Sequence, residues 1–185
     1  DRPIQVLYAG KAHPADKEGQ RFIHDIYEMT RDPRFGGRLV FLENYNMEVG
    51  RMLVSGCDVW LNNPRRPYEA SGTSGQKVAV HGGLNLSILD GWWPEGFDGT
   101  NGWAIGNESD HTYKDPAIQD PEDAEFLYSN LENRVIPLFY DRNEAGIPTG
   151  WVAMMRSAMK GLTYEFSAHR MVSDYAASVY QTPDE

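Results

Sequence analysis

The fold is decided by residues 58–89, which read DVWLNNPRRPYEASGTSGQKVAVHGGLNLSIL. The apolar run at 58–62 predicts a strand, which Pro64 and Pro67 end. A loop rich in Gly, Ser and Thr leads into a short helix predicted near 76–81, and the apolar run at 84–89 predicts the next strand. A strand, a helix and a second strand in this order form the unit from which parallel sheets are built.

The same alternation of strands and helices extends in both directions from this stretch. Further strands are predicted at 4–9, 38–42 and 103–105. Helices are predicted at 16–31, 47–55, 121–134, 150–160 and 169–180, and the rest of 91–116 is predicted to be a loop. We therefore expect an α/β protein with a doubly wound parallel sheet and ligands at the carboxyl ends of its strands.

The composition is that of one folded domain. With 185 residues, 41% hydrophobic and 12% aromatic, the chain can form a sizeable core but is too short for a multidomain enzyme. A net charge of −10 without a long basic run argues against nucleic acid or an anionic membrane surface as partners. No apolar stretch approaches the roughly 18 residues of a membrane span. The single Cys57 cannot form an intrachain disulfide, so we expect a reducing, soluble compartment, the cytoplasm.

Common metal-binding and catalytic motifs are not found in the sequence. No two of the five histidines stand at i and i+4, and one cysteine cannot supply a zinc-ligand set, so no metal site is predicted. Residues 72–76, GTSGQ, lack the last Gly of the nucleophile elbow G-x-S-x-G, and the turn at 10–12 lacks the upstream Gly of a Walker loop. The sequence therefore supports neither a hydrolase nor a nucleoside triphosphatase.

One segment, residues 69–77, remains as a candidate site. Its small hydroxyl residues and glycines precede a predicted helix, where backbone N–H groups and the helix dipole favour a bound phosphate. An N-capped helix after a flexible loop is the alternative, and it is the commoner case for such a sequence. The predicted helix places Lys77 in its first turn, where a cation is disfavoured by up to ~1 kcal/mol. This position suggests an anionic partner or a covalent role, although any single lysine is more often a surface residue.

The segment and its surroundings resemble one family. Residues 40–45 (VFLENY), 69–77 (EASGTSGQK) and 84–93 (LNLSILDGWW) closely resemble the α-glucan phosphorylases, which act on glycogen, starch or maltodextrin. The resemblance is strong over 4–106 and general beyond. It implies part of the C-terminal domain of a two-domain, GT-B type retaining glycosyltransferase. That part would be one domain at 1–185, with a Rossmann-like core at about 4–106 and a helical region at about 117–181.

The resemblance also implies a cofactor and its ligands. Lys77 corresponds to the lysine that forms a Schiff base with pyridoxal 5′-phosphate, and Tyr45 corresponds to an aromatic residue beside the cofactor. The residues implied to hold the cofactor's phosphate are Thr73, Ser74, Gly75 and Gln76. The residues implied to bind the glucosyl unit are Glu69, Ala70, Ser71 and Gly72. Two positions depart from the family: Gln76 stands where many members have Met, and His81 stands where many have Asn.

The implied reaction is phosphorolysis. Phosphate attacks the terminal α-1,4-linked glucose of a glucan and gives glucose 1-phosphate, while the cofactor's phosphate exchanges a proton with the substrate phosphate. Glu69 would hold sugar hydroxyls as positive charge develops, so Lys77 and Glu69 are the implied catalytic residues. The family's N-terminal domain precedes the position of Asp1. We therefore expect the isolated chain to be inactive, and the full-length form to be a possible homodimer.

Two other classes remain open from the sequence. A nucleotide-sugar-dependent glycogen or starch synthase shares the architecture but needs no Schiff-base lysine, and a non-catalytic α/β interaction domain is the third alternative. Trp92 and Trp93 are expected to lie half in the core and half at the surface, although they could also stack on sugar. Arg65 and Arg66 are expected to be solvated. The role of Asp90, site residue or turn former, stays undecided.

Overall fold

The computed structural model describes residues 2–107 and 114–180. Residue 181, where the predicted helical region ends, and residues 108–113 of the predicted loop lie outside the described residues. The chain divides into two compact units, Asp1–Met52 and Leu53–Glu185. Each unit has its own parallel sheet.

The first unit contains two parallel strands and the helices that follow them. Strand β1 is Val6–Ala9, helix α1 is Lys17–Thr30, strand β2 is Leu39–Leu42, and helix α2, Met47–Gly56, begins in this unit. The side chain of Asp16 caps α1 by accepting a hydrogen bond of 2.8 Å from the Gly19 N–H. No residue between 2 and 52 is buried, so the buried core of the described chain belongs to the second unit.

The second unit is built around a three-stranded parallel sheet. Its strands are β3 (Val59–Asn62), β4 (Leu84–Ile88) and β5 (Gly102–Ile105), in the order β3-β4-β5. Helix α3, Thr73–Val80, connects β3 to β4, and the short helix α4, Trp93–Gly96, lies between β4 and β5. All five residues of β4 are buried, because the central strand of a parallel sheet is covered on both faces.

Helices make up the rest of the second unit. Helix α5 (Pro116–Asn130) continues through a π-helical segment (Leu131–Val135) into α6 (Ile136–Tyr140), followed by α7 (Thr149–Glu165) and α8 (Ala168–Ser178). Helix α7 packs against α3 and β4. The largest core side chains include those of Trp93, Trp103 and Trp151. The expectation of an α/β protein with parallel strands and a helical C-terminal region is confirmed.

Some helix boundaries differ from those predicted. Helix α3 begins at Thr73 rather than near 76, because Gly72 adopts the left-handed conformation (φ 83°) from which the helix can start. Helix α5 begins at Pro116 rather than 121, because the Asp115 carboxylate caps it and Pro121 is accommodated inside. Helices α4 and α6 were not predicted, because four or five residues carry too little periodicity.

Candidate functional site

The first turn of α3 lies at the carboxyl side of β3, where parallel sheets bind ligands. Its N-cap residue, Gly72, provides no side-chain hydrogen bond to the helix. The first N–H groups of an α-helix have no acceptor within the helix, and a glycine cap supplies none from its side chain. The Gly75 N–H donates to the Gly72 carbonyl at 3.2 Å, whereas the N–H groups of Thr73 and Ser74 have no acceptor in the described part of the chain. These two donors and the positive end of the helix dipole together favour an anion.

The side chains of α3 divide into two faces. Gly75, Val78 and Ala79 are buried against the sheet. Residues 73, 74 and 77 share the opposite side at spacings of three and four, and there Thr73 and Lys77 are exposed while Ser74 is half-buried. One helix face thus combines two hydroxyl groups with one amine.

Lys77 lies in a different turn of α3 from the one predicted. Lys77 was expected in the first turn, but with α3 starting at Thr73 it falls in the last turn of the helix. A cation there is favoured by the helix dipole, so its position is not evidence of an anionic partner. Its exposed side chain makes no hydrogen bond or ion pair with any residue in the described part of the chain. The amine is accordingly available for another group.

The buried face of α3 packs against the side chains of Asn85 and Trp92. Asn85 of β4 is 1% exposed, and its amide group donates a hydrogen bond of 3.1 Å to the Gly75 carbonyl. A Cβ atom at Gly75 would overlap the Asn85 amide oxygen and would lie 3.1 Å from Cζ2 of Trp92. Gly75 is therefore needed for the close approach of the helix to these residues.

Residues 69–71 run beside the turn at 90–92, and two hydrogen bonds join the segments, one to the Asp90 carboxylate and one between backbone groups. The Asp90 carboxylate accepts from the Glu69 N–H at 3.0 Å and from the Gly91 N–H at 2.9 Å. The Trp92 N–H donates to the Ser71 carbonyl at 3.0 Å. The Glu69 carboxylate accepts from the Ser71 N–H at 3.4 Å. These hydrogen bonds give the stretch specific contacts with the turn that follows β4.

Gly91 closes the contact between these two segments. Its φ is +60°, and a Cβ atom there would lie 2.5 Å from the Ser71 carbonyl oxygen and 2.9 Å from Cγ of Glu69. The sequence left open whether Asp90 is a site residue or a turn former. In the structure, the Asp90 carboxylate holds the loop that carries Glu69. The sequence signal was a carboxylate followed by glycine directly after a buried strand, but its partner lies 21 residues away.

Two expectations about neighbouring residues are wrong. Trp92 and Trp93 are 5% and 0% exposed, so both belong to the core rather than half to the surface. Arg66 is 7% exposed rather than solvated, and it forms an ion pair of 3.0 Å with Asp123 of α5. Arg65 is exposed as expected, and it pairs with Asp120 at 2.7 Å. The two arginines thus attach the loop after β3 to α5.

Tyr45 belongs to the first unit. Asn44 before it has a positive φ of 57°, and Tyr45 packs against Gly50, where a Cβ atom would lie 2.7 Å from its hydroxyl oxygen. The side chain is 37% exposed. Its place beside the cofactor stays a prediction.

The residue types on this helix face are those that pyridoxal phosphate would need. An aldehyde needs an accessible amine, and a phosphate needs N–H and hydroxyl donors within a few ångströms of it. The face with Thr73, Ser74 and Lys77 offers the amine and hydroxyls next to a helix start with no side-chain cap. Among residues 2–107 and 114–180, no group of His, Cys, Asp and Glu could hold a metal ion. Within the same ranges no helix has the length and apolarity to cross a bilayer.

Fold and site define a class: an α/β protein in which a helix that starts without a side-chain cap carries an exposed lysine and hydroxyl residues on one face. A family model, carbohydrate phosphorylase, matches residues 2–95, about half of the chain. This chain belongs to the carbohydrate phosphorylase family.

Individual relatives extend the similarity over almost the whole chain. A glycogen phosphorylase of Aquifex aeolicus is 49% identical over 180 residues, which cover 97% of this chain and 25% of the relative. A maltodextrin phosphorylase of Thermococcus litoralis is 46% identical over 182 residues, which cover 97% of this chain and 21% of the relative. A glycogen phosphorylase of Mycobacterium tuberculosis is 48% identical over 179 residues, which cover 97% of this chain and 20% of the relative. The similarity thus continues past residue 106, and the chain spans between a fifth and a quarter of these relatives.

Proposed function

We propose that this chain carries the cofactor site and one wall of the sugar site of an α-glucan phosphorylase. The enzyme would transfer the terminal α-1,4-linked glucosyl unit of a glucan to inorganic phosphate. The observation that carries the proposal is the face of α3 on which Lys77, Thr73 and Ser74 lie together beside a helix start without a side-chain cap. The names of the relatives, glycogen and maltodextrin phosphorylases, support a glucan as substrate.

In this proposal Lys77 binds pyridoxal 5′-phosphate through a Schiff base. Thr73 and Ser74 offer hydroxyl and backbone N–H groups to its phosphate. The resemblance assigns Gly75 and Gln76 to the same phosphate, and the Gly75 N–H would have to share its hydrogen bond to the Gly72 carbonyl. When bound, the cofactor supplies a phosphate that exchanges a proton with the substrate phosphate. The protein's part is to hold that phosphate in place, and a helix start that is already ordered does so without reorganising.

The loop at 69–72 would bind the terminal glucose. Glu69 is half-buried, and its backbone is held by Asp90, so its carboxylate is restrained before any sugar arrives. It would accept hydrogen bonds from glucose hydroxyls and stabilise the positive charge that develops at the anomeric carbon. Ala70, Ser71 and Gly72 would contribute backbone groups to the same glucose. The bond from the anomeric carbon to O4 would break and a bond to an oxygen of the substrate phosphate would form, while the proton of that phosphate would pass to the departing O4.

Lys77 also separates the proposal from its nearest alternative. A nucleotide-sugar-dependent glucosyltransferase needs a phosphate site but no Schiff-base lysine. Here the exposed Lys77, one turn along α3 from Thr73, pairs with no residue in the described part of the chain. We further propose an N-terminal phosphorylase domain as the other wall of the cleft, a cytoplasmic location and a homodimer. These three proposals rest on the resemblance to the family.

The proposed activity can be tested in a full-length phosphorylase that contains these 185 residues. Maltodextrin and inorganic phosphate should give glucose 1-phosphate, measured by a coupled dehydrogenase assay. Glucosyl transfer from a nucleotide sugar without phosphorolysis would contradict the proposal. The isolated chain should give no product, because orientation of phosphate, glucan and cofactor in a complete cleft supplies roughly 7–11 kcal/mol of barrier reduction.

A further inference from the structure

The indole ring of Trp92 lies directly beneath the start of α3. A Cβ atom at Gly72 would lie 3.4 Å from its Cδ1, and one at Gly75 would lie 3.1 Å from its Cζ2. On the other side, a Cβ at Gly96 would lie 2.8 Å from its Cζ3. The ring thus occupies the space that side chains would take at three glycines. The ring edge of Trp92, together with the side chain of Asn85, therefore limits how closely the first turn of α3 can approach these residues.

Trp92 is itself held rigidly. Its side chain is 5% exposed, and its ring centroid lies 4.8 Å from that of Phe166 in an edge-to-face contact and 5.0 Å from that of Trp93. Phe166 is the C-cap residue of α7. The end of α7 thus contributes a direct ring contact to Trp92. A well-packed ring cannot shift without opening a cavity, which costs stability.

The backbone of Trp92 holds the neighbouring loop. Its N–H donates to the Ser71 carbonyl at 3.0 Å, one residue before Gly72. The side chain fixes the helix start while the main chain fixes the segment that leads into it. Both therefore act on residues 71–75, which the proposed function assigns to the glucose and to the cofactor's phosphate.

We propose that Trp92 is a positioning residue for the cofactor's phosphate. Its ring sets the position of the turn from Gly72 to Gly75, and so of the N–H donors of α3, without touching the cofactor itself. This inference rests on the proposed function. It predicts that loss of the ring weakens the contacts to phosphate specifically, and leaves the reaction of the Lys77 amine with an aldehyde intact.

The experiment compares two ligands that differ only in the phosphate. In the full-length enzyme freed of cofactor, affinities for pyridoxal 5′-phosphate and for pyridoxal are measured by absorbance of the Lys77 adduct. Trp92→Ala should lower the ratio of the two affinities by about tenfold, the scale of weakening one hydrogen bond to a charged group. Trp92→Phe retains an aromatic ring and should lower the ratio less, and it provides the test if Trp92→Ala does not fold.

Trp151→Ala is the matched control. Trp151 is 4% exposed and packs in α7 against Trp103 and Phe139, with ring centroids 5.6 and 5.0 Å away. This variant should lose stability but keep the wild-type ratio. Two results would overturn the role of Trp92 but not the proposed function. One is an equal effect of Trp92→Ala and Trp151→Ala on the ratio of affinities, and the other is an unchanged ratio in both Trp92 variants. A wild-type enzyme that binds neither compound at Lys77 would overturn the proposed function and this inference together.

Discussion

Replacing Gly75 by alanine is expected to destabilise the protein, although alanine is the better helix former. The new methyl group would overlap the Asn85 amide oxygen and would lie 3.1 Å from Cζ2 of Trp92. Asn85 cannot move away freely, because its amide donates to the Gly75 carbonyl at 3.1 Å and its side chain is 1% exposed. Trp92 is equally confined, with 5% exposure. The helix must lift, or Asn85 must give up its hydrogen bond.

The size of the effect follows from three contributions. Alanine gains ~1 kcal/mol over glycine inside a helix. Overpacking a tight interior costs about 1–3 kcal/mol, and losing the hydrogen bond between Asn85 and Gly75 costs ~1 kcal/mol more. The free energy of unfolding should therefore fall by about 1–3 kcal/mol.

Gly161→Ala is the control with the same chemical change. Gly161 lies in α7, and a Cβ atom there would meet nothing within 4 Å. This substitution should stabilise the protein by up to ~1 kcal/mol. Urea unfolding followed by circular dichroism should give a lower midpoint for Gly75→Ala and a higher one for Gly161→Ala. Two variants that shift the midpoint equally would refute the close packing of α3 on Asn85 and Trp92.

Three further predictions concern single side chains. Glu69→Gln in the full-length enzyme should lower turnover by about 100-fold or more with normal cofactor absorbance, and parallel loss of cofactor and activity would mean that Glu69 only braces its loop. Asp90→Asn leaves one of two backbone N–H donors without an acceptor, so the KM for maltodextrin should rise by about tenfold at unchanged cofactor content. Burial raises the pKa of the Cys57 thiol, so less thiolate is present near neutral pH and iodoacetamide should label it more slowly than in the urea-unfolded chain. Equal labelling rates in the two states would contradict that environment.

The parallel strands were predictable because each is a short apolar run between turn residues. The runs at 58–62 and 84–89 correspond to β3 and β4, and the helix between them forces a parallel connection. The segment 69–77 could be singled out for a related reason: apart from Tyr45, the candidate site residues are contiguous, from Glu69 to Lys77. A local pattern and a family resemblance could both detect such a segment.

What the sequence did not predict depends on contacts between distant residues. The start of α3 is set by the left-handed conformation of Gly72, and that residue lies against the ring of Trp92 twenty positions later. The role of Asp90 depends on a hydrogen bond to Glu69 across 21 residues. The burial of Arg66 depends on Asp123, 57 residues away. No periodicity or propensity within a short window carries that information.

The central claim is that Lys77 binds the cofactor. Borohydride reduction of the full-length enzyme, followed by proteolysis and mass spectrometry, should place a pyridoxyl group on Lys77. Lys77→Ala should lose the label and the cofactor's absorbance. Within this chain the other lysines, Lys11, Lys17, Lys114 and Lys160, serve as internal controls. Label on Lys77 alone is the result that the account predicts, and label confined to one of the other four, or retained in Lys77→Ala, would contradict it.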